Sequence, residues 1–365
     1  MSADDQLVPR NRWDLLGPAP ERSVAVVVTH FEQGPALART LDAVAGQTRP
    51  PAEIVVADDG SATSPRVPDG VRLVRQEDLG FRAAAARNLG AAATTSEVLV
   101  FLDADTTPEP DYLQRLLPRV DACPDVLAVG RRRHADLSAT GTLLTEPSWL
   151  VEGYEQTADL LHADGRSFRF VISAVMACRR SLFTDLGGFD ERFVGYGGED
   201  WDLAYRAWNN GAVLVHERGA VAWHDGPEWA DRSGDGELKK FENARLATLI
   251  PEPSMRGGAP AGELPDVLDL SVIGVPTPDQ LRRARAQLSM VGTLPEQALR
   301  DLTARLADDD LGQLVLTSHG REVGALTSTR ALGRARRWPG RPDVLGSAFG
   351  RASVDVSGTV AAPSR

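Results

Sequence analysis

Cysteine is nearly absent from this 365-residue chain, which holds only Cys123 and Cys178, each among apolar neighbours. That excludes a disulfide framework, and both are expected as buried thiols rather than ligands. A surplus of positive charge is also missing: 40 Lys and Arg stand against 51 Asp and Glu, for a formal net charge of −11. Nucleic-acid binding needs a basic face, so no nucleic-acid partner is expected. The short basic run Arg131–Arg133 reads as a solvated loop. No stretch reaches the ~18–20 apolar residues of a membrane span. The polar start MSADDQLVPRNRW lacks the apolar core of a signal peptide. A cytoplasmic protein with no transmembrane segment is therefore expected, with peripheral membrane contact left open. Aromatics are sparse at 6%, yet 42% of the chain is hydrophobic. That is enough for one large α/β domain and a smaller one.

What is present alternates. Residues 1–21 read as a tail, with Pro9, Pro18 and Pro20 opposing regular structure. Val24–Thr29 is a β-branched run typical of a strand buried on both faces. Gly34–Gln47 places Leu37, Leu41, Val44 and Ala45 at helical spacing. Strands follow at Ile54–Ala57, Val71–Arg75 and Val98–Leu102, with an alanine-rich helix at Phe81–Ala93. Short connections between alternating strands and helices predict a mostly parallel sheet with helices on both faces. Such sheets bind ligands at the C-terminal ends of their strands. Asp58, Asp59, Asp103 and Asp105 all fall just past strand ends. Residues 22–250 are assigned to this domain, and the Pro- and Gly-rich stretch 251–264 to a linker. A small α+β module is expected at 265–338, with helices at Pro278–Leu288 and Pro295–Leu306 and a hairpin of Gln313–Thr317 with Val323–Thr327. Residues 339–365 read as a flexible tail.

Five constellations carry chemistry. Asp103-Ala104-Asp105 offers two carboxylates to one divalent cation, whose hard oxygen ligands suit magnesium or manganese; the plain alternative is a turn. Asp58-Asp59-Gly60-Ser61 either closes a strand as a turn or accepts a hydrogen bond from a base or ribose. In Gln76–Gly90, QEDLGFRAAAARNLG, Arg82 and Arg87 fall on different helix faces, so only one need face a ligand. Arg82, near the helix start, is the one expected to do so, with surface arginines as the alternative. Gly187–Arg206, GGFDERFVGYGGEDWDLAYR, leads a glycine-rich turn into Glu199, Asp200 and Asp202. Acidic residues there complement a helix dipole, but Gly195, Gly197 and Gly198 also let another molecule approach the backbone. A carboxylate at that mouth suits proton abstraction from a hydroxyl. His224 follows a strand; it is either structural or a nitrogen ligand completing a carboxylate site. The loop after it, Gly226–Gly236, reads as a cover for a diphosphate or as an ordinary mobile loop.

In this order the five resemble the family 2 glycosyltransferases of GT-A fold. They are closest to the branch with bacterial chondroitin-type polymerases and share features with β-1,4-galactosyltransferases. The matching segments are VVVTHFE, EIVVADDGS, DLGFRAAAARNLGA, FLDADT and GGFDERFVGYGGEDWDLAYR. His30-Phe31-Glu32 departs from the usual end of the first strand but keeps Thr29. The resemblance implies a Rossmann-like GT-A domain and a nucleotide-sugar donor, a UDP-sugar above all. Thr29, Phe31, Glu32, Asp59 and Arg82 would then face the nucleotide, with Asp59 favoured over Asp58. Asp103 and Ala104 would lie against the nucleotide sugar, Asp103 near ribose and metal. Asp105 and His224 would ligate Mn2+ or Mg2+. Asp200 would be the general base of an inverting transfer, with Glu199, Trp201, Gly197 and Gly198 placing the acceptor. A retaining outcome stays open, as do donor sugar, acceptor and oligomeric state.

Two rivals are weaker. A sugar-1-phosphate nucleotidyltransferase would carry a glycine-rich loop after the first strand, and Thr29–Pro35 contains only Gly34. A non-catalytic nucleotide-sugar-binding protein has no need for Asp103, Asp105, Asp200 and His224 together.

Overall fold

The chain is seen in a computed structural model, which describes residues 2–138, 140–225, 311–338, 341 and 344–358, with the pairs 297–298, 301–302 and 305–306. The expected linker, the helix at Pro278–Leu288 and the loop Gly226–Gly236 lie outside the described residues.

The expected alternation forms. β1 (Val24–His30), β2 (Glu53–Asp58), β3 (Val71–Arg75) and β4 (Val98–Asp103) are joined through α1 (Gly34–Ala45) and α2 (Ala83–Ala92). β1 is the centre because its run VAVVV leaves no polar face, and Ala25 to Val28 are fully buried. α2 packs closely on this sheet through its small residues. A side chain at Gly90 would collide with Val27, 2.4 Å from the added carbon.

The remaining sheet elements are β5 (Thr106–Pro108), β6 (Val126–Ala135), β7 (Val175–Arg179) and β8 (Val213–Asp225). The sheet order is β3-β2-β1-β4-β7-β6-β8-β5. Pairing is parallel from β3 to β4 and again between β6 and β8, and antiparallel around β7 and β5. The α/β expectation, mostly parallel with a C-terminal module, is borne out. Arg131–Arg133 lies inside β6 rather than in a loop. Strand alternation sends Arg131 and Arg133 to Glu146, at 3.2 and 3.0 Å, and Arg132 to the other face. The strand expected before His224 is the long β8, which contains His224 and whose register against β6 shifts between Gly130 and Arg131.

Helices α3 (Tyr112–Leu116), α4 (Pro118–Ala122), α5 (Ser148–Gln156), α6 (Arg180–Asp185) and α7 (Glu199–Asn209) complete this part. No helix among the described residues is long and apolar enough to cross a membrane. The N-terminal residues are more than a tail. The Asn11 amide is buried, donates to Leu160 O and Leu214 O, and accepts from Leu214 N. A single asparagine bonding to backbone leaves no periodic signature in the sequence.

Two units divide the chain. One contains residues 11–207 and 213–225 with the eight-stranded sheet; the other gathers 7–10, 208–212 and the C-terminal residues. In the second unit β9 (Gln313–Ser318) and β10 (Arg321–Thr327) form the expected hairpin. α8 (Thr329–Arg337) and α9 (Val344–Phe349) follow, and β11 (Arg351–Asp355) adds to β9 in parallel. The expected flexible tail therefore contains a helix and a strand. β11 is an edge strand with no buried residue, so no apolar run announces it. Arg334 is fully buried here, donating to Val8 O at 2.9 Å and to Gly211 O.

Candidate functional site

The parallel register places Thr29 beside Asp103 and His30 beside Asp58, so the C-terminal ends of β1, β2 and β4 present their polar residues together. Asp58 is wholly engaged by the protein. Its carboxylate accepts from Ser61 Oγ at 2.6 Å and Arg75 Nε at 2.7 Å, and lies 2.7 Å from His30 Nδ1. Burial pushes this carboxyl up, but the bonds from Ser61, His30 and Arg75 outweigh it and hold it below the usual range. Asp59 accepts from Gln76 Nε2 and, at 2.7 Å, from Arg82 N. Burial dominates there and raises its pKa. The other expected nucleotide-facing residues sit nearby on the same loops. The Thr29 hydroxyl is buried with no hydrogen-bond partner among the described residues. Phe31 is exposed, and Glu32 takes a left-handed backbone with its carboxylate accepting from Ala62 N at 2.5 Å.

Of the two arginines, Arg82 turns its guanidinium back to Glu77 O at 2.9 Å. Arg87, not the expected Arg82, reaches the centre. It bridges Asp103 Oδ1 at 2.8 Å and Glu199 Oε1 at 2.7 Å, and is itself buried. Burial alone would lower its pKa; the charges of Asp103 and Glu199 outweigh that and raise it. Arg87 lies one turn from Ala83, Gly90 and Ala91, all buried, and an arginine on such a face requires carboxylate partners.

Ala104 is buried, its N–H bonded to Thr29 O at 2.8 Å, which turns Asp103 and Asp105 apart. Asp105 Oδ2 accepts from Gln33 Nε2 at 3.0 Å and lies 3.5 Å from His224 Nε2. Burial raises the Asp105 carboxyl, and the contacts with His224 and Gln33 bring the net pKa below the usual value. Asp105 and His224 are thus together, while Asp103 faces Arg87. Among the described residues no three His, Cys, Asp or Glu side chains are grouped as a metal site. One carboxylate and one imidazole would fit a divalent cation that takes its other ligands from outside the protein.

The glycine-rich turn has the backbone it needs, with φ of +132° at Gly195, +88° at Gly197 and +105° at Gly198. It delivers Glu199, Asp200 and Trp201 into a cavity of about 620 Å³ that also takes in Arg87, Asp103, Gly197 and Gly198. Glu199 is 6% exposed, and its Oε2 has no hydrogen-bond partner among the described residues. Asp200 is half-buried and accepts from Trp201 N at 2.8 Å. Burial, then the charge of Glu199, push its carboxyl up to about 7 against the pull of Arg87. Asp202 is held by Arg206 at 2.7 Å. The rings of Phe81 and Tyr196, both unassigned from sequence, line the same cavity and meet edge to face at 5.8 Å.

The C-terminal ends of the parallel strands thus bring Asp103 into one cavity with the acid pair of α7. Residues 24–187 match the model of Glycosyl transferase family 2. The chain is 28% identical to the hyaluronan synthase of Pasteurella multocida over 269 residues, covering 63% of this chain and 28% of the synthase. It is 28% identical over 374 aligned positions to the validoxylamine A glucosyltransferase of Streptomyces hygroscopicus subsp. limoneus, covering 87% of this chain and 82% of that protein. Against the chondroitin synthase of Escherichia coli it again spans only a part, 38% of the relative's length. Among solved structures, GalNAc-T7 with UDP, GalNAc and Mn2+ is similar at a TM-score of 0.45 and 19% identity, over 62% of this chain and 48% of that one.

Proposed function

We propose that this protein transfers a sugar from a nucleotide diphosphate sugar to an acceptor hydroxyl, with Asp200 as general base and inversion at the anomeric carbon. The observation that carries this is the bridge Asp103–Arg87–Glu199, which joins the donor end of the sheet to the acid pair of α7 in one cavity. A carboxyl pushed to about 7 is matched to proton transfer near neutral pH. The acceptor oxygen attacks the anomeric carbon as its proton passes to Asp200, and the nucleoside diphosphate departs from the opposite face. Glu199, fixed by Arg87, raises the basicity of Asp200 and orients the acceptor with Trp201.

Asp105 and His224 would hold Mn2+ or Mg2+; when bound, the cation neutralises charge on the departing diphosphate. The nitrogen donor favours manganese. A UDP-sugar is assigned on the likeness of Asp58-Asp59-Gly60-Ser61 and Asp103-Ala104-Asp105 to the family's motifs, with Thr29, Phe31, Glu32, Asp59, Arg82 and Ala104 on the nucleotide side. A screen of UDP-sugars for UDP release, with and without acceptor pools and with manganese or chelator, tests the whole reading. Release from at least one donor, lost in chelator, is expected; full activity in excess chelator contradicts the metal assignment, and no release with any donor contradicts the transferase.

A further inference from the structure

One wall of the cavity has no part in the steps above. α5 turns Trp149, Glu152, Gly153 and Gln156 toward it, the i, i+3, i+4, i+7 face of a single helix. Leu150 and Tyr154, on an adjoining face, are buried in the protein. A cavity-facing stripe with exposed Glu152 and Gln156 is not core. Trp149 lies near-parallel to Phe170, 6.4 Å away at 26°, and meets Trp201 edge-on at 6.0 Å. Because Trp201 follows Asp200, this wall begins where the acceptor hydroxyl reacts. From Trp149 to Gln156 the helix rises about 10 Å, longer than one pyranose ring.

The chemistry of the wall narrows its ligand. Aromatic faces take the C–H faces of a sugar ring, and a carboxylate and an amide take its hydroxyl edges. A purely apolar ligand would bury Glu152 without a partner. Arg132 and Arg169 line the same cavity, so both signs of charge are present and a neutral ligand is favoured. We propose that the α5 wall is a second acceptor subsite, and that the acceptor is a neutral, hydroxyl-rich saccharide of at least two rings. The ring next to the reacting one stacks on Trp149, and Glu152 and Gln156 read its hydroxyls. This rests on the transferase reading above.

The test compares matched acceptors of one, two and three rings, the glucose and N-acetylglucosamine series, with UDP-glucose and UDP-N-acetylglucosamine in manganese. Transfer is followed by mass spectrometry and binding by saturation-transfer NMR. The two-ring member of an accepted or bound series should exceed the one-ring member at least tenfold in kcat/KM, or be the one that binds. Trp149→Ala should bring that ratio close to one, Trp149→Phe should keep most of it, and the Tm of both should show that they fold. A ratio near one in the wild type, or an unchanged ratio in Trp149→Ala, overturns the subsite. So does a panel in which no saccharide of two rings is glycosylated or bound. In that case donor hydrolysis by water still reports whether the transferase reading stands.

Discussion

The end of β2 and the start of α7 each carry two adjacent acids, Asp58-Asp59 and Glu199-Asp200, and they are built to different ends. In each pair one member anchors the structure: Asp58 to His30, Ser61 and Arg75, and Glu199 to Arg87. In each pair burial raises the pKa of the other member. The difference lies in what that second acid has left to offer. Both oxygens of Asp59 accept bonds from Gln76 and Arg82 N, whereas Asp200 accepts one bond among the described residues, from its neighbour's N–H, and faces the cavity. A raised pKa therefore does not by itself mark a base; an acid must also have an oxygen free to receive the proton.

The comparison breaks most visibly at Asp200. Asp200→Asn should lower kcat by about 10²–10⁴-fold, with UDP affinity retained. A carboxyl whose folded pKa is raised costs stability as pH rises through the window from its ordinary value to about 7. The Asn variant should therefore melt no lower than wild type above pH 7. A variant within a few-fold of wild-type turnover removes Asp200 from the mechanism. If Asp200 only complemented the helix dipole, the loss would be about 0.3–1 kcal/mol of stability with turnover intact.

Arg87→Met removes the partner of two carboxylates and leaves Glu199 buried and uncompensated, which should cost about 3–5 kcal/mol in denaturant unfolding. In protein that still folds, the rise of kcat with pH should move to higher pH, because the positive charge that favours ionised Asp200 is gone. An unmoved profile would mean that Arg87 is only a strut.

The β2 pair should separate by readout. Asp58→Ala should lose about 1–3 kcal/mol of stability from broken buried hydrogen bonds. Asp59→Ala should instead raise donor KM about tenfold, ~1.4 kcal/mol of binding, with a smaller change in kcat. Equal donor affinity in wild type and Asp59→Ala, by calorimetry with UDP and manganese, would misplace the nucleotide. Smallest is Arg82→Ala. Among the described residues its guanidinium donates to one backbone carbonyl, Glu77 O, so stability should stay within about 0.5 kcal/mol, and donor KM should rise a few-fold if it faces the nucleotide.

Much of this site was legible because its positions are set by local chemistry. Asp103 and Asp105 follow a buried apolar strand, and Glu199 and Asp200 follow a glycine-rich turn, so both could be read without knowing what they face. Arg87 was passed over because the choice between it and Arg82 rests on which helix face packs against β1, a tertiary fact. Arg132 looked like part of a solvated run, since three successive arginines hide the two-residue alternation that separates it from Arg131 and Arg133. The α5 wall carries no motif; Trp149, Glu152 and Gln156 acquire meaning only once the cavity brings them opposite Trp201. The ordered pieces beyond residue 339 were missed for a similar reason, because β11 depends on β9 for its hydrogen bonds and has no apolar run of its own.

The most direct measurement follows the Asp200 carboxyl itself, by carbon-detected NMR with selectively labelled aspartate, the Asp200→Asn variant assigning the signal, beside the pH dependence of kcat on the same preparation. Both should turn over at one midpoint near 7, with kcat rising as the carboxylate forms and level above it. An Asp200 that titrates near the ordinary carboxylate value while kcat turns over elsewhere would contradict the assignment of the base.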